Sequence, residues 1–287
     1  MERLELTVTA AQAGRTVLSL MRQELSMAEG LISSVKFRED GVLLSGRRVR
    51  VTERVKQGDV LSVLIGDRGV NGAAPLDLPL SILWEDGYLA VLDKPAGISV
   101  YGEGTPNIAG ILANKWGNSV EYHPVNRLDV GTTGLMIAAK DGYTHDRLRR
   151  LLHTDDFRRE YLAVAEGVVT PEQGTVSLPI SKAPVNGARR VDPGGLPSRT
   201  DYEVLSVHGE RTLLSLRLHT GRTHQIRVHM AALGHPLTGD ALYGTPCGEI
   251  ARPALHSHRL VLRHPVTGEL LDITSPLPED MQNLIGG

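Results

Sequence analysis

The chain has a single cysteine, Cys247, in 287 residues, so no disulfide can close within it, and a reducing compartment is the natural expectation. It lacks any apolar run approaching the roughly 20 residues needed to span a bilayer. Its opening Met1-Glu2-Arg3-Leu4-Glu5 carries both signs of charge and has no apolar signal-peptide core, which points to the cytoplasm. The phosphate-cradling Gly-x-x-x-x-Gly-Lys-Ser/Thr motif is absent, and so is the His-Glu-x-x-His of helical zinc sites. Of the 11 histidines, His224 and His229 stand five positions apart and would point to different faces of a helix, against a shared metal. Nothing around Cys247 marks it as a nucleophile. The chain also lacks a basic surplus: its formal net charge is −2, which argues against a uniformly cationic nucleic-acid binder. Local clusters exist nonetheless, at Arg47, Arg48 and Arg50 and again at Arg147, Arg149, Arg150, Arg158 and Arg159, and taken singly each reads as a solvated face.

What is present is ordinary for a globular protein, 41% hydrophobic and 22% charged. Residues 1–70 read as a small unit. Val17, Leu18, Met21 and Leu25 fall at helical spacing, a second helical turn begins near Gly30, and Gly-punctuated strands follow up to Ile65. The order resembles the RNA-binding module named after small-subunit ribosomal protein four, with Ser45-Gly46 at its usual Asn-Gly turn. Residues 71–79, rich in Gly and Pro, suit a linker. Residues 80–287 form the larger domain. Leu89 to Leu92 and Leu135 to Ala139 read as buried strands, and Leu214, Leu216 and Leu218 as a half-buried one. Asn107, Thr144 and Thr223 are expected to cap helices. Strand and helix do not alternate regularly, so the fold class is α+β rather than a doubly wound sheet.

Three segments carry polar residues that folding alone does not call for. In Asn126-Arg127-Leu128-Asp129-Val130-Gly131-Thr132-Thr133-Gly134, an acid beside an arginine leads through a Gly-Thr-Thr-Gly turn into a buried strand. A carboxylate at such a strand mouth can stay ionised in a cleft, or it can simply stabilise the turn. Arg158-Arg159-Glu160-Tyr161-Leu162-Ala163-Val164 reads as a strand with a core tyrosine. In Gly221-Arg222-Thr223-His224-Gln225-Ile226-Arg227-Val228-His229, polar groups crowd a helix N-terminus, where anions are favoured.

Together and in this order, the segments resemble the aspartate, tyrosine and arginine motifs of RluA-type pseudouridine synthases. Lys94-Pro95-Ala96-Gly97 and His256-Ser257-His258-Arg259-Leu260 fall in family order too, and the likeness covers roughly residues 80 to 285. Two positions depart from it: Asn126 stands where the family usually has His, and no His-Pro follows the Lys-Pro-Ala-Gly turn. The resemblance implies a catalytic domain with a central mixed, mostly antiparallel sheet and a cleft. It implies isomerisation of uridine to pseudouridine in structured RNA, large-subunit ribosomal RNA first with transfer RNA as the alternative, by a monomer needing neither metal nor cofactor. Asp129 would be the catalytic carboxylate, attacking the anomeric carbon or removing a sugar proton. Tyr161 would stack on the flipped base, Ile226 would pack its other side, Arg222 would pair with Asp129, and Arg127 would orient a phosphate. The rival from another class is a non-catalytic RNA-binding or ribosome-assembly protein, free to lose Asp129, Tyr161 and Arg222.

Overall fold

The computed structural model describes residues 3–65, 72–102, 106–117, 120–152, 154–183 and 187–286. The end of the expected small unit and the start of the linker, residues 66–71, lie outside them. Strand β1 (Arg3–Thr7) leads to helices α1 (Val17–Gln23) and α2 (Glu29–Val35), then to strands β2 (Val42–Leu44), β3 (Arg47–Arg48) and β4 (Val60–Leu64). The four strands form one antiparallel sheet in the order β1-β4-β2-β3. Thr16 caps α1 by accepting from the Ser19 amide, and the helix buries Val17, Leu20 and Met21. Ser45 and Gly46, at φ 48° and 81°, make the two-residue left-handed turn that joins β2 to β3. Strand β1 was not evident from the sequence: Leu4 is its only fully buried residue, so the alternation is faint. The core of this sheet takes in Tyr143 from further along the chain, whose hydroxyl donates to the Leu25 carbonyl at 2.9 Å.

The remainder runs β5 (Ser81–Glu85), β6 (Leu89–Lys94), α3 (Ile108–Trp116), β7 (His123–Pro124), β8 (Thr133–Ala139) and α4 (Gly142–Leu151). Strands β9 (Phe157–Glu166), β10 (Gln173–Val176), β11 (Ile180–Lys182), β12 (Arg189–Val191), β13 (Thr200–His208) and β14 (Arg211–Leu218) follow. Helix α5 (Gln225–Ala232), β15 (Leu255–Arg263), β16 (Leu270–Thr274) and α6 (Glu279–Leu284) complete the chain. A ten-stranded sheet, ordered β10-β13-β14-β9-β15-β8-β6-β5 with β16 and β7 attached, dominates. Its neighbours are antiparallel except β8 and β15, which run parallel, as an α+β domain with a mixed, mostly antiparallel sheet requires. Residue alternation sorts the strands into two cores. Leu92, Met136, Tyr161 and Leu216 pack on one face with Ile226 and Met230 of α5. Leu89, Leu135 and Ile137 pack on the other. No helix among the described residues is long and apolar enough to cross a membrane.

Helix boundaries bring two corrections. Asn107 does cap α3, accepting from the Gly110 amide, but α4 is capped by Asp141, which accepts from Thr144, so Thr144 lies inside the first turn. Helix α5 begins after His224 rather than at Thr223, because His224 takes a left-handed backbone at φ 57°. Gln225 does the satisfying there instead, accepting from the Arg222 amide at 3.0 Å.

Candidate active site

Asp129 sits on the loop entering β8, and that loop is pinned from several sides. Asn126 accepts from the Ile137 amide at 2.9 Å, and Thr132 donates back to the Asp129 carbonyl at 3.0 Å. Behind the loop lies Lys94, 1% exposed. Its ammonium donates to the carbonyls of Pro95, Ile98 and Val130 at 2.8, 3.0 and 3.2 Å. Burial pulls the Lys94 pKa down to about 8, with the Asp129 charge opposing and Arg252 assisting. Arg252 adds a second brace, donating to the Gly131 carbonyl at 3.3 Å while Asp280 of α6 holds its other nitrogens at 2.7 Å. Gly134 is required just beyond: at φ 100°, a Cβ there would lie 2.3 Å from the Ser257 carbonyl oxygen.

The cation facing Asp129 is Arg227 of α5, whose Nη1 lies 3.3 Å from Oδ2. Its Nε and Nη2 donate to the two oxygens of Asp240 at 2.7 and 2.8 Å, a bidentate contact in which Asp240 is fully buried. Burial works against the Arg227 charge, but Asp240 and Asp129 outweigh it and its pKa is raised. Arg222 does not take the expected place on Asp129. It stands in the loop before α5, and its Nε donates to the Pro197 carbonyl at 3.2 Å. The displacement is one of reach: Arg227 lies inside the helix with Asp240 behind it, whereas Arg222 precedes the helix altogether. In sequence Asp240 stands only in a polar loop, Gly239-Asp240-Ala241-Leu242-Tyr243-Gly244, with nothing that ties it to Arg227.

His224 completes the inner ring. Its Nε2 lies 3.8 Å from Asp129 Oδ2, and its Nδ1 is hydrogen-bonded to the Tyr243 hydroxyl at 2.9 Å. That hydroxyl also accepts from the Arg189 amide at 2.7 Å, which ties in β12. Burial lowers the His224 pKa, Asp129 pulling against it and Arg227 with it. Neither His224 nor Tyr243 was singled out as a site residue in the sequence, because a histidine near a helix start and a loop tyrosine each have bland explanations.

All five sequence candidates meet. Arg127, Asp129, Tyr161, Arg222 and Ile226 line one small pocket of about 50 Å³, with His224 and Arg227 beside them. Tyr161 is 5% exposed, and burial raises its phenol pKa, with Arg159 acting in the opposite sense. The pocket adjoins a broad cleft of about 1250 Å³ bordered by Arg127, Arg149, Arg150, Arg159 and Arg222. Net charge therefore misleads: these five arginines gather here, of which Arg150 pairs with Asp146, while Arg15, Arg22 and Arg47 nearer the N-terminus are each paired with a glutamate. A cationic cleft with a carboxylate and an aromatic ring in a recess is the layout of an enzyme acting on one base of a polyanion.

The family model described as RNA pseudouridylate synthase matches residues 88–232. The chain is 33% identical over 291 residues to the uncharacterised RNA pseudouridine synthase YhcT of Bacillus subtilis, covering 98% of this chain and 96% of that one. It is 38% identical over 251 residues to ribosomal large subunit pseudouridine synthase D of Nitrosomonas europaea, covering 81% and 72%. Among solved structures, human RNA pseudouridylate synthase domain containing 4 superposes with a TM-score of 0.57 at 26% identity, covering 70% of this chain and 90% of that one. The chain belongs to the RluA-type RNA pseudouridine synthases, and it is an RNA-modifying isomerase.

Proposed function

We propose that this enzyme converts uridine to pseudouridine in large-subunit ribosomal RNA, with Asp129 as the carboxylate that acts at the sugar. The supporting observation is the Asp129–Arg227 contact of 3.3 Å in a recess that Tyr161 and Ile226 also line. The reaction breaks the N1–C1′ glycosidic bond, turns the uracil, and joins its C5 to C1′. The C5 proton is lost and N1 regains one, so atoms and charge balance without an added reagent. Tyr161 and Ile226 hold the extruded base, Arg227 fixes the carboxylate, and Arg127 and Arg222 at the pocket edge meet the backbone. Ribosomal RNA is favoured over transfer RNA because relatives matching most of the chain carry the name ribosomal large subunit pseudouridine synthase D. The enzyme is read as a cytoplasmic monomer that uses neither metal nor cofactor.

The test is to incubate the purified chain with unmodified transcripts of large-subunit ribosomal RNA and of transfer RNA, beside an Asp129→Ala control. Pseudouridine is then counted by mass spectrometry. New pseudouridine in the ribosomal transcript with the parent alone supports the reading. Modification of transfer RNA only would overturn the substrate, and equal activity of the Ala variant would overturn the role of Asp129.

A further inference from the structure

Arg159 is 4% exposed, yet among the described residues no carboxylate pairs with it. Arg227 and Arg252 are buried to a similar degree, at 8% each. Both hold an aspartate in bidentate contact. Arg159 donates from Nη2 to the Leu152 carbonyl at 3.2 Å and lies 5.9 Å from the centroid of the neutral Phe157 ring, while its Nε is buried without a hydrogen-bond partner among the described residues. Burial works against its charge, but a guanidinium does not give up its proton at neutral pH. An uncompensated buried cation is costly to a folded chain. Its retention makes sense where an anion arrives from outside.

The position identifies the anion. Arg159 lies on β9 two residues before Tyr161, so both project from the same face, about 7 Å apart along the strand. Arg159 borders the broad cleft together with Tyr161, Gly221 and Arg222. Its Nη1 lies so close to Gly221 that a Cβ there would stand 3.1 Å away, which leaves this guanidinium edge against the loop before α5. A base stacked on Tyr161 therefore brings its own backbone to Arg159. Uracil carbonyls are neutral and leave the charge uncompensated; a phosphate does not.

We propose that Arg159 forms a phosphate subsite that binds the RNA backbone next to the uridine held on Tyr161. The inference rests on the assignment of this cleft to RNA. Binding is measured in an Asp129→Asn background, where the uridine is not consumed, with the ribosomal transcript that the parent chain modifies. Arg159→Met should weaken binding at least tenfold at low salt and make the slope of log affinity against log salt shallower by about 0.7, the share of one phosphate. Arg159→Lys should keep the slope and stay within about threefold of the parent. The free Met variant should melt no lower than its parent, because an isosteric apolar chain replaces an unpaired charge.

An unchanged slope with unchanged affinity in Arg159→Met would overturn the proposal. So would weaker binding with an unchanged slope and a lowered melting temperature, since that pattern marks a purely structural role. Pseudouridine counted with the parent chain separates the two levels: none in any transcript defeats the RNA assignment, and with it this inference. Pseudouridine formed alongside an unchanged slope defeats the subsite alone.

Discussion

Asp240 grips Arg227 from behind. Both of its oxygens accept from the guanidinium, so the one nitrogen left over, Nη1, is aimed at Asp129. A lysine cannot reproduce this, because its point charge has no fixed fork. Arg227→Lys should therefore retain RNA binding and lose about 100-fold in turnover, the scale of a misplaced catalytic group. Asp240→Ala should do the same and cost about 3–5 kcal/mol of stability, since it strands a buried cation. Single-turnover kinetics and chemical denaturation read the two effects, and an Asp240→Ala protein with parental turnover would dismiss the coupling.

Tyr161 offers a ring and a hydroxyl, and the two can be separated. Burial raises its pKa, so the phenol is protonated at neutral pH in the free enzyme and its ring is the part ready to act. Stacking of a base on an aromatic is worth about 1–3 kcal/mol. Tyr161→Phe should keep RNA affinity within threefold, whereas Tyr161→Ala should lose roughly 5- to 150-fold. Equal losses in the two variants, read by filter binding, would show that the hydroxyl carries the binding.

Much of this site was legible because its residues occupy positions where a fold has no need of them. The crowded start of α5 stands out by itself, whereas Asp129 at a strand mouth could equally stabilise a turn and emerges only from the ordered set of three motifs; β8 reads as a continuous apolar run and β14 as a period-two alternation. Arg227 and Arg222 could not be ranked the same way. They are five positions apart in one motif, and the choice depends on Asp240, which reaches Arg227 only after a further loop has folded back. Arg159 was hidden for a similar reason: in sequence it is one of five arginines in a charged stretch, and only the sheet shows that its side chain is buried while Arg158 next to it is not. The left-handed backbone at His224 is the kind of tertiary strain that local propensity does not announce.

The parallel contact between β8 and β15 depends on a residue without a side chain. Gly134 combines φ 100° with the Ser257 carbonyl 2.3 Å from any added Cβ, and Ser257 is its register partner across that contact. Gly134→Ala adds backbone strain to overpacking, each about 1–3 kcal/mol. The variant should lose at least about 3 kcal/mol and express mostly as insoluble protein. Thr133→Ala next to it serves as the comparison and should fold. A Gly134→Ala protein that melts with its parent would mean that β8 and β15 can separate without cost.

Acidification should unfold the chain through its histidines. The pKa values of His145, His224, His229, His256 and His264 are all lowered, in each case first by burial. His229 illustrates the cause: it is wholly buried, with Nδ1 on Thr200 at 2.9 Å and Nε2 near the Leu178 carbonyl at 3.0 Å. The unfolded chain takes up these protons near the ordinary value of 6.5, and the folded chain takes them up only at lower pH. Between the two, the unfolded state binds more protons, so stability falls as pH falls from about 6.5. Paired carboxylates add to the loss only further down, near their own range. The melting temperature should hold from pH 8 to 7 and drop between pH 6.5 and 5.5, while the imidazole resonances of these five residues titrate below 6.5. A melting temperature constant to pH 5.5, or imidazoles titrating at the ordinary value, would show that these rings are solvated in the folded chain and that their burial carries no linkage.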